Sequence, residues 1–90
     1  MLIKVLDVQP AGSHKLRLTF SDGSRGVADL SDLLARGGTM VEPLRDPDYF
    51  ARVFLEAGAP TWPNGFDLAP WALHDRLKRS GALEAAGHPA

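Results

Sequence analysis

The chain is expected to fold as a small α+β domain. An N-terminal strand plus a hairpin, with one or two further short strands, would form a small antiparallel sheet. Short helices and a C-terminal helix would pack on one face. Three observations carry this expectation. Lys15 to Phe20 alternates strictly, with Leu16, Leu18 and Phe20 on one face and Lys15, Arg17 and Thr19 on the other. Ser21-Asp22-Gly23 follows at once as turn chemistry. The segment from Pro70 to Arg79 places Ala69, Ala72, Leu73 and Leu77 on one helical stripe.

The first strand is predicted over Leu2 to Val8, where apolar and β-branched residues are interrupted only by Lys4 and Asp7. Apolar residues on both faces point to a strand interior to a sheet or covered by a second chain. Gln9 to His14, with Pro10 and Gly12, reads as a turn. After the Lys15–Phe20 strand, Arg25 to Leu30 is the returning strand, and two registers are open. A two-residue Asp22-Gly23 loop would bring Arg25 and Asp29 onto the apolar face. A three-residue loop, with Gly23 left-handed as a G1 bulge, puts Gly26, Ala28 and Leu30 there instead. Burying Asp29 unpaired costs at least several kcal/mol, which favours the three-residue loop.

Ser31 to Arg36 opens on a capping residue and stops at Gly37-Gly38, giving a short helical turn. Asp46-Pro47-Asp48 is a second helix start, with Asp46 as cap and Pro47 at the first helical position. A strand is expected within Arg52 to Ala57, with Val53 and Leu55 on one face and Phe54 on the other. Thr61 to Gly65 reads as a brief extended piece ending in a tight turn, because Pro63 offers no amide to a ladder. The domain is placed at residues 1–79, with 80–90 as a flexible tail of small and polar residues.

Ninety residues with 44% hydrophobic content can bury one modest core. The absence of cysteine removes disulfides and thiolate metal sites. Ten basic and eleven acidic residues leave a formal charge of −1, so no global basic excess advertises a nucleic-acid partner. No apolar run reaches the roughly 18 residues that span a bilayer. The first residues lack the basic and apolar regions of a secretory leader. A cytoplasmic location without membrane attachment is the expectation.

Three stretches in register resemble a known family: Leu18-Thr19-Phe20-Ser21-Asp22-Gly23 with Asp29-Leu30 after it; Glu42-Pro43-Leu44-Arg45-Asp46-Pro47-Asp48-Tyr49-Phe50; and Trp62-Pro63-Asn64-Gly65-Phe66-Asp67-Leu68-Ala69-Pro70, leading to Leu73 and His74. Their order and spacing are similar to the bacterial and phage family called domain of unknown function 2442, from about Leu2 to His74. The resemblance implies a small α+β domain with no established activity. Members often neighbour another small protein, which implies toxin–antitoxin-like pairs. Some longer relatives resemble this domain followed by a helix-turn-helix, but here only one C-terminal helix follows. Ala69 also lacks the side-chain acceptor expected before Pro70.

No catalytic, cofactor or metal site is expected, and the protein is not read as an enzyme. His14, His74 and His88 do not converge in sequence, and His74 and Asp75 diverge by about 100° on a helix. They are expected to face solvent. Asp22 makes the turn, Asp46 caps, and Asp67 is expected to bond nearby backbone amides. No nucleophile elbow, P-loop or dinucleotide fingerprint is present. Trp62 reads as a core plug, although a tryptophan beside a rigid turn also suits an interface. Trp71 falls opposite the apolar stripe, among His74, Asp75 and Lys78.

The leading expectation is a protein-interaction domain that binds another small protein, in an antitoxin-like manner, or a copy of itself. Trp62, Asn64, Asp67, Trp71, His74 and Lys78 are its candidate partner-binding residues. The alternative is a nucleic-acid-associated regulator using Arg76, Lys78 and Arg79. Three cations at a helix C-terminus are, however, explained by the helix dipole and are few for phosphate binding.

Overall fold

The computed structural model describes residues 2–85; His88 and the rest of 86–90 lie outside them. The order is β1 (Val5–Pro10), β2 (Lys15–Phe20), β3 (Arg25–Asp29), α1 (Ser31–Arg36), a 3-10 turn (Glu42–Arg45), α2 (Pro47–Phe50), β4 (Phe54–Glu56), β5 (Ala59–Thr61) and α3 (Pro70–Ser80). Strands β1-β2-β3 form one antiparallel sheet in that order, and β4-β5 form a separate hairpin. This is the expected α+β architecture.

The hairpin adopts the three-residue loop. Leu18 pairs with Gly26 and Leu16 with Ala28. Gly23 has φ +86°, and the Gly23 amide donates to the Phe20 carbonyl at 2.8 Å. This register sends Gly26, Ala28 and Leu30 into the core and leaves Asp29 exposed. The buried face of the sheet, carrying Val5, Leu16, Leu18 and Phe20, packs with Leu34, Leu44, Phe50, Trp62, Leu73 and Leu77 in one cluster.

Strand β1 corrects the sequence reading twice. It runs from Val5 to Pro10 rather than from Leu2, so the turn shrinks to Ala11–His14. It also sits at an edge, not in the interior. Its register passes from Val5 opposite Phe20 to Asp7 opposite Thr19, which leaves Leu6 as an extra, bulged residue. The apolar residue that suggested two-sided burial is therefore turned to solvent, 61% exposed. The β4–β5 hairpin covers the start of this edge, where the Val5 amide donates to the Gly58 carbonyl at 2.8 Å. Pro10 closes the other end without needing a ladder amide.

Two helix ends follow local chemistry, one of them not as expected. Asp46 caps α2, its carboxylate accepting from the Asp48 amide at 3.0 Å. In α1, Ser31 is the first helical residue rather than the cap. Asp29 supplies the acceptor, taking the Ser31 amide at 2.9 Å and the Ser31 hydroxyl at 2.6 Å. Those bonds, the hydroxyl's foremost, hold the Asp29 carboxyl below its ordinary value.

The chain after α3 is not a loose tail as far as residue 85. Gly81 is left-handed at φ +76°, the Ala82 amide returns to the Leu77 carbonyl at 2.9 Å, and the Gly81 amide to that of Lys78 at 3.2 Å. This pair of bonds is a Schellman closure. The chain then crosses β3, where Glu84 and Arg25 exchange both backbone bonds, at 2.8 and 3.0 Å. Gly26 is required by that crossing, since a Cβ there would lie 2.6 Å from the Ala82 carbonyl oxygen.

Candidate functional site

The six candidate residues separate into three groups. Trp62 belongs to the core. It is 0% exposed, and its indole Nε1 donates to the Phe50 carbonyl at 2.9 Å. Its ring packs between Phe50 and Phe66, at centroid distances of 5.7 and 5.9 Å. It is thus removed from any contact surface. The Trp62–Gly65 turn is closed by the Gly65 amide bonding to the Trp62 carbonyl at 2.9 Å. Asn64 is occupied as well, taking the Phe66 amide at 3.1 Å and donating to the Met40 carbonyl at 2.9 Å. It ties the turn to the loop before the 3-10 segment.

The two described histidines do not face solvent freely, which corrects the expectation for them. His14 Nε2 donates to the Arg45 carbonyl at 2.9 Å, and its ring stands edge-on to Phe50 at 5.5 Å. His74, on α3, places Nε2 3.0 Å from the Asp22 carboxylate and packs edge-on against Phe20 at 5.1 Å. The β2–β3 turn is thereby pinned to the C-terminal helix. Asp22 also accepts from the Ser24 amide and hydroxyl. The Ser24 hydroxyl first, and His74 after it, hold the Asp22 carboxyl below its usual range.

Asp67 is exposed and bridges to Thr61 through the backbone. His74 engages Asp22 and not Asp67, and neither Asp67 nor His74 lines any of the three hollows found. Among the described residues, no group of three or more His, Asp or Glu is placed to hold a metal ion.

What remains at the surface is the outer side of α3. Trp71 is 65% exposed there, and Lys78 is exposed two turns further along the same face. Of the basic trio, Arg76 pairs with Asp32 and donates to the Asp29 carbonyl, and Arg79 pairs with Asp75 at 2.9 Å. Arg76 holds the Asp32 carboxyl below its usual range. Lys78 is the member of the trio with no ion-pair partner among the described residues, which leaves little positive charge for phosphates.

Sequence reasoning missed a hollow at the N-terminal end of α3, on the side turned away from Trp71. Ala72 and Leu73 of α3 and Ala69 just before it, together with Leu33 of α1 and Leu68, line an apolar hollow of about 190 Å3 with Arg76 at its rim. A signal existed in the adjacent leucines 33 and 34. In so short a helix both cannot face the same core, and Leu34 is the buried one. A larger hollow of about 570 Å3 lies between the outer edge of β3 and the C-terminal half of α3. Its walls include Asp29, Ser31, Asp32, Arg76 and Ser80.

Taken together, the fold is a small α+β scaffold whose polar side chains are mostly spent on turns, caps and interelement ties. The family model described as "Protein of unknown function (DUF2442)" matches residues 5–79, most of the chain. The protein belongs to that family. No curated protein and no solved structure matches the chain. No helix among the described residues is long and apolar enough to cross a membrane.

Proposed function

We propose that this domain is a protein-interaction module whose contact surface is the outer and N-terminal side of α3, centred on Trp71. The observation that carries the reading is the 65% exposure of that indole on a helix whose opposite side, through Leu73 and Leu77, is buried. Large aromatics dominate interface energetics when a partner desolvates them, and a surface tryptophan serves no core. Lys78, exposed two turns further along the same face, supplies a polar rim.

The finer form of the proposal is an antitoxin-like role, in which this surface holds a second small protein. It assigns the domain binding rather than chemistry. The test is affinity capture from the native host with the wild-type chain and with Trp71→Ala, followed by mass spectrometry. A partner retained by the first and lost by the second supports the reading. Equal retention by both, with the variant folded, sinks it.

A further inference from the structure

Strand β3 pairs with β2 on one side only, and its peptide groups alternate between that side and the open one. The Arg25 amide and carbonyl face away from β2, because both bond to Glu84. The same period turns the backbone groups of Val27 and Asp29 outward. The Asp29 carbonyl accepts from Arg76 there. The Val27 amide and carbonyl and the Asp29 amide have no partner among the described residues.

These groups border the hollow of about 570 Å3 between β3 and the C-terminal half of α3. Arg76, tied to Asp29 and Asp32, closes one end, and Ala82 closes the other. Leu77 and Ser80 line the α3 side. An extended chain fills roughly 160 Å3 per residue, from a rise of about 3.4 Å, a strand spacing of about 4.8 Å and a layer spacing of about 10 Å. The hollow has room for roughly three residues. What this edge accepts is visible one pair along it, where Glu84 exchanges both backbone bonds with Arg25 as an antiparallel partner.

We infer that the β3–α3 hollow is a strand-addition site, which takes about three extended residues of another protein as an antiparallel strand on Val27 and Asp29. Open sheet edges capture peptides through the main chain, while alternate side chains set the preference. The residue opposite Val27 exchanges two bonds with it, and the carbonyl two residues earlier accepts the Asp29 amide. The side chain between them turns toward α3, where Leu77 and Ala82 suit an apolar group; its neighbours turn to solvent and suit polar ones. Trp71 does not line this hollow, so the site is a second contact beyond the surface proposed above.

The probe is the blocked tripeptide acetyl-seryl-valyl-threonine amide, added to the full chain and followed residue by residue in amide NMR spectra. Before addition, the Val27 amide should exchange with solvent at least about tenfold faster than those of Gly26 and Ala28, which face β2. On addition, the Val27 and Asp29 amide protons should move downfield and saturate, with Kd on the order of 0.1–5 mM for three backbone bonds and one side chain. Two controls each remove a single bond. Methylating the threonine nitrogen of the peptide deletes the donor to the Val27 carbonyl. Val27→Pro deletes the Val27 amide, which the β2–β3 ladder does not use, and an edge strand tolerates proline at such a position. Each control should weaken binding at least about fivefold, the second read at Asp29.

No saturable shift up to about 20 mM peptide overturns the inference, as does a Val27 amide already protected in the free chain. A shift that survives methylation overturns it too, because the peptide would then be held by its side chains. If the proline variant fails to fold, the methylated peptide decides the matter on the wild-type chain. Trp71→Ala should leave the titration unchanged, and a titration lost with that variant overturns the assignment to β3.

Discussion

Replacing Trp62 by phenylalanine separates a core tryptophan from a contact tryptophan. The substitution removes the indole N–H that the Phe50 carbonyl accepts at 2.9 Å, in a site where Trp62 and Phe50 are 0% and 1% exposed. A buried carbonyl left without its donor costs about 1–3 kcal/mol. The missing ring leaves a gap of a few tens of Å3, roughly a further 0.5–1 kcal/mol at about 24 cal/mol per Å3. The expected loss is about 1.5–4 kcal/mol, or a fall in Tm on the order of 6–30 °C for a domain of this size. Urea unfolding followed by circular dichroism measures it, with the midpoint falling and the slope unchanged. A loss below about 0.5 kcal/mol, the ordinary range for a surface change, would refute the argument that Trp62 is a bonded core residue. Trp71→Ala is the matched control and should stay within that surface range.

Three further outcomes follow from particular contacts. Gly26→Ala should destabilise by about 1–3 kcal/mol in thermal unfolding, because its Cβ would meet the Ala82 carbonyl oxygen at 2.6 Å; the penalty should shrink in a chain ending at Gly81. Ala69→Ser should raise stability by about 0.5–2 kcal/mol in the same assay, since Ala69 has extended N-cap geometry at φ −66°, ψ 127° and no side-chain acceptor. The third concerns acid. The folded Asp22 carboxyl titrates below its ordinary value of 3.8, so its stabilisation is fully present above that value and is lost as pH falls through the lower folded one. Asp22→Asn keeps the turn acceptor but not the charge; wild type and variant should differ in unfolding free energy at neutral pH and converge in acid, and a constant difference down to strong acid would contradict the assignment.

The parts legible from sequence were those decided by local chemistry or by one large penalty. The hairpin register followed from the cost of burying Asp29, and the Asp46-Pro47 start and the Pro70 helix followed from cap and spacing rules. The Trp62 turn was legible as a plug because Asn64-Gly65 supplied its own closure. Other features depend on partners distant in the chain. His74 meets Asp22 across 52 residues, and no spacing rule announces that contact. The bulge at Leu6 is invisible to an alternation count, which reads an outward leucine as evidence of a second covered face. The hollow between α1 and the start of α3 needs both elements together, although the Leu33-Leu34 pair hinted that one leucine had to point elsewhere.

The crossing of β3 by residues beyond α3 bears on where this domain ends. The family match stops at residue 79, yet Gly81 to Glu84 close the helix and supply the bridge at Arg25, on the side of β3 away from β2. A chain cut at the family boundary would strip that bridge, leaving the Arg25 amide and carbonyl at the edge of the sheet open to other chains. The short stretch past the helix therefore acts as a guard strip: shortening it should show first as loss of solubility, before any loss of the fold itself.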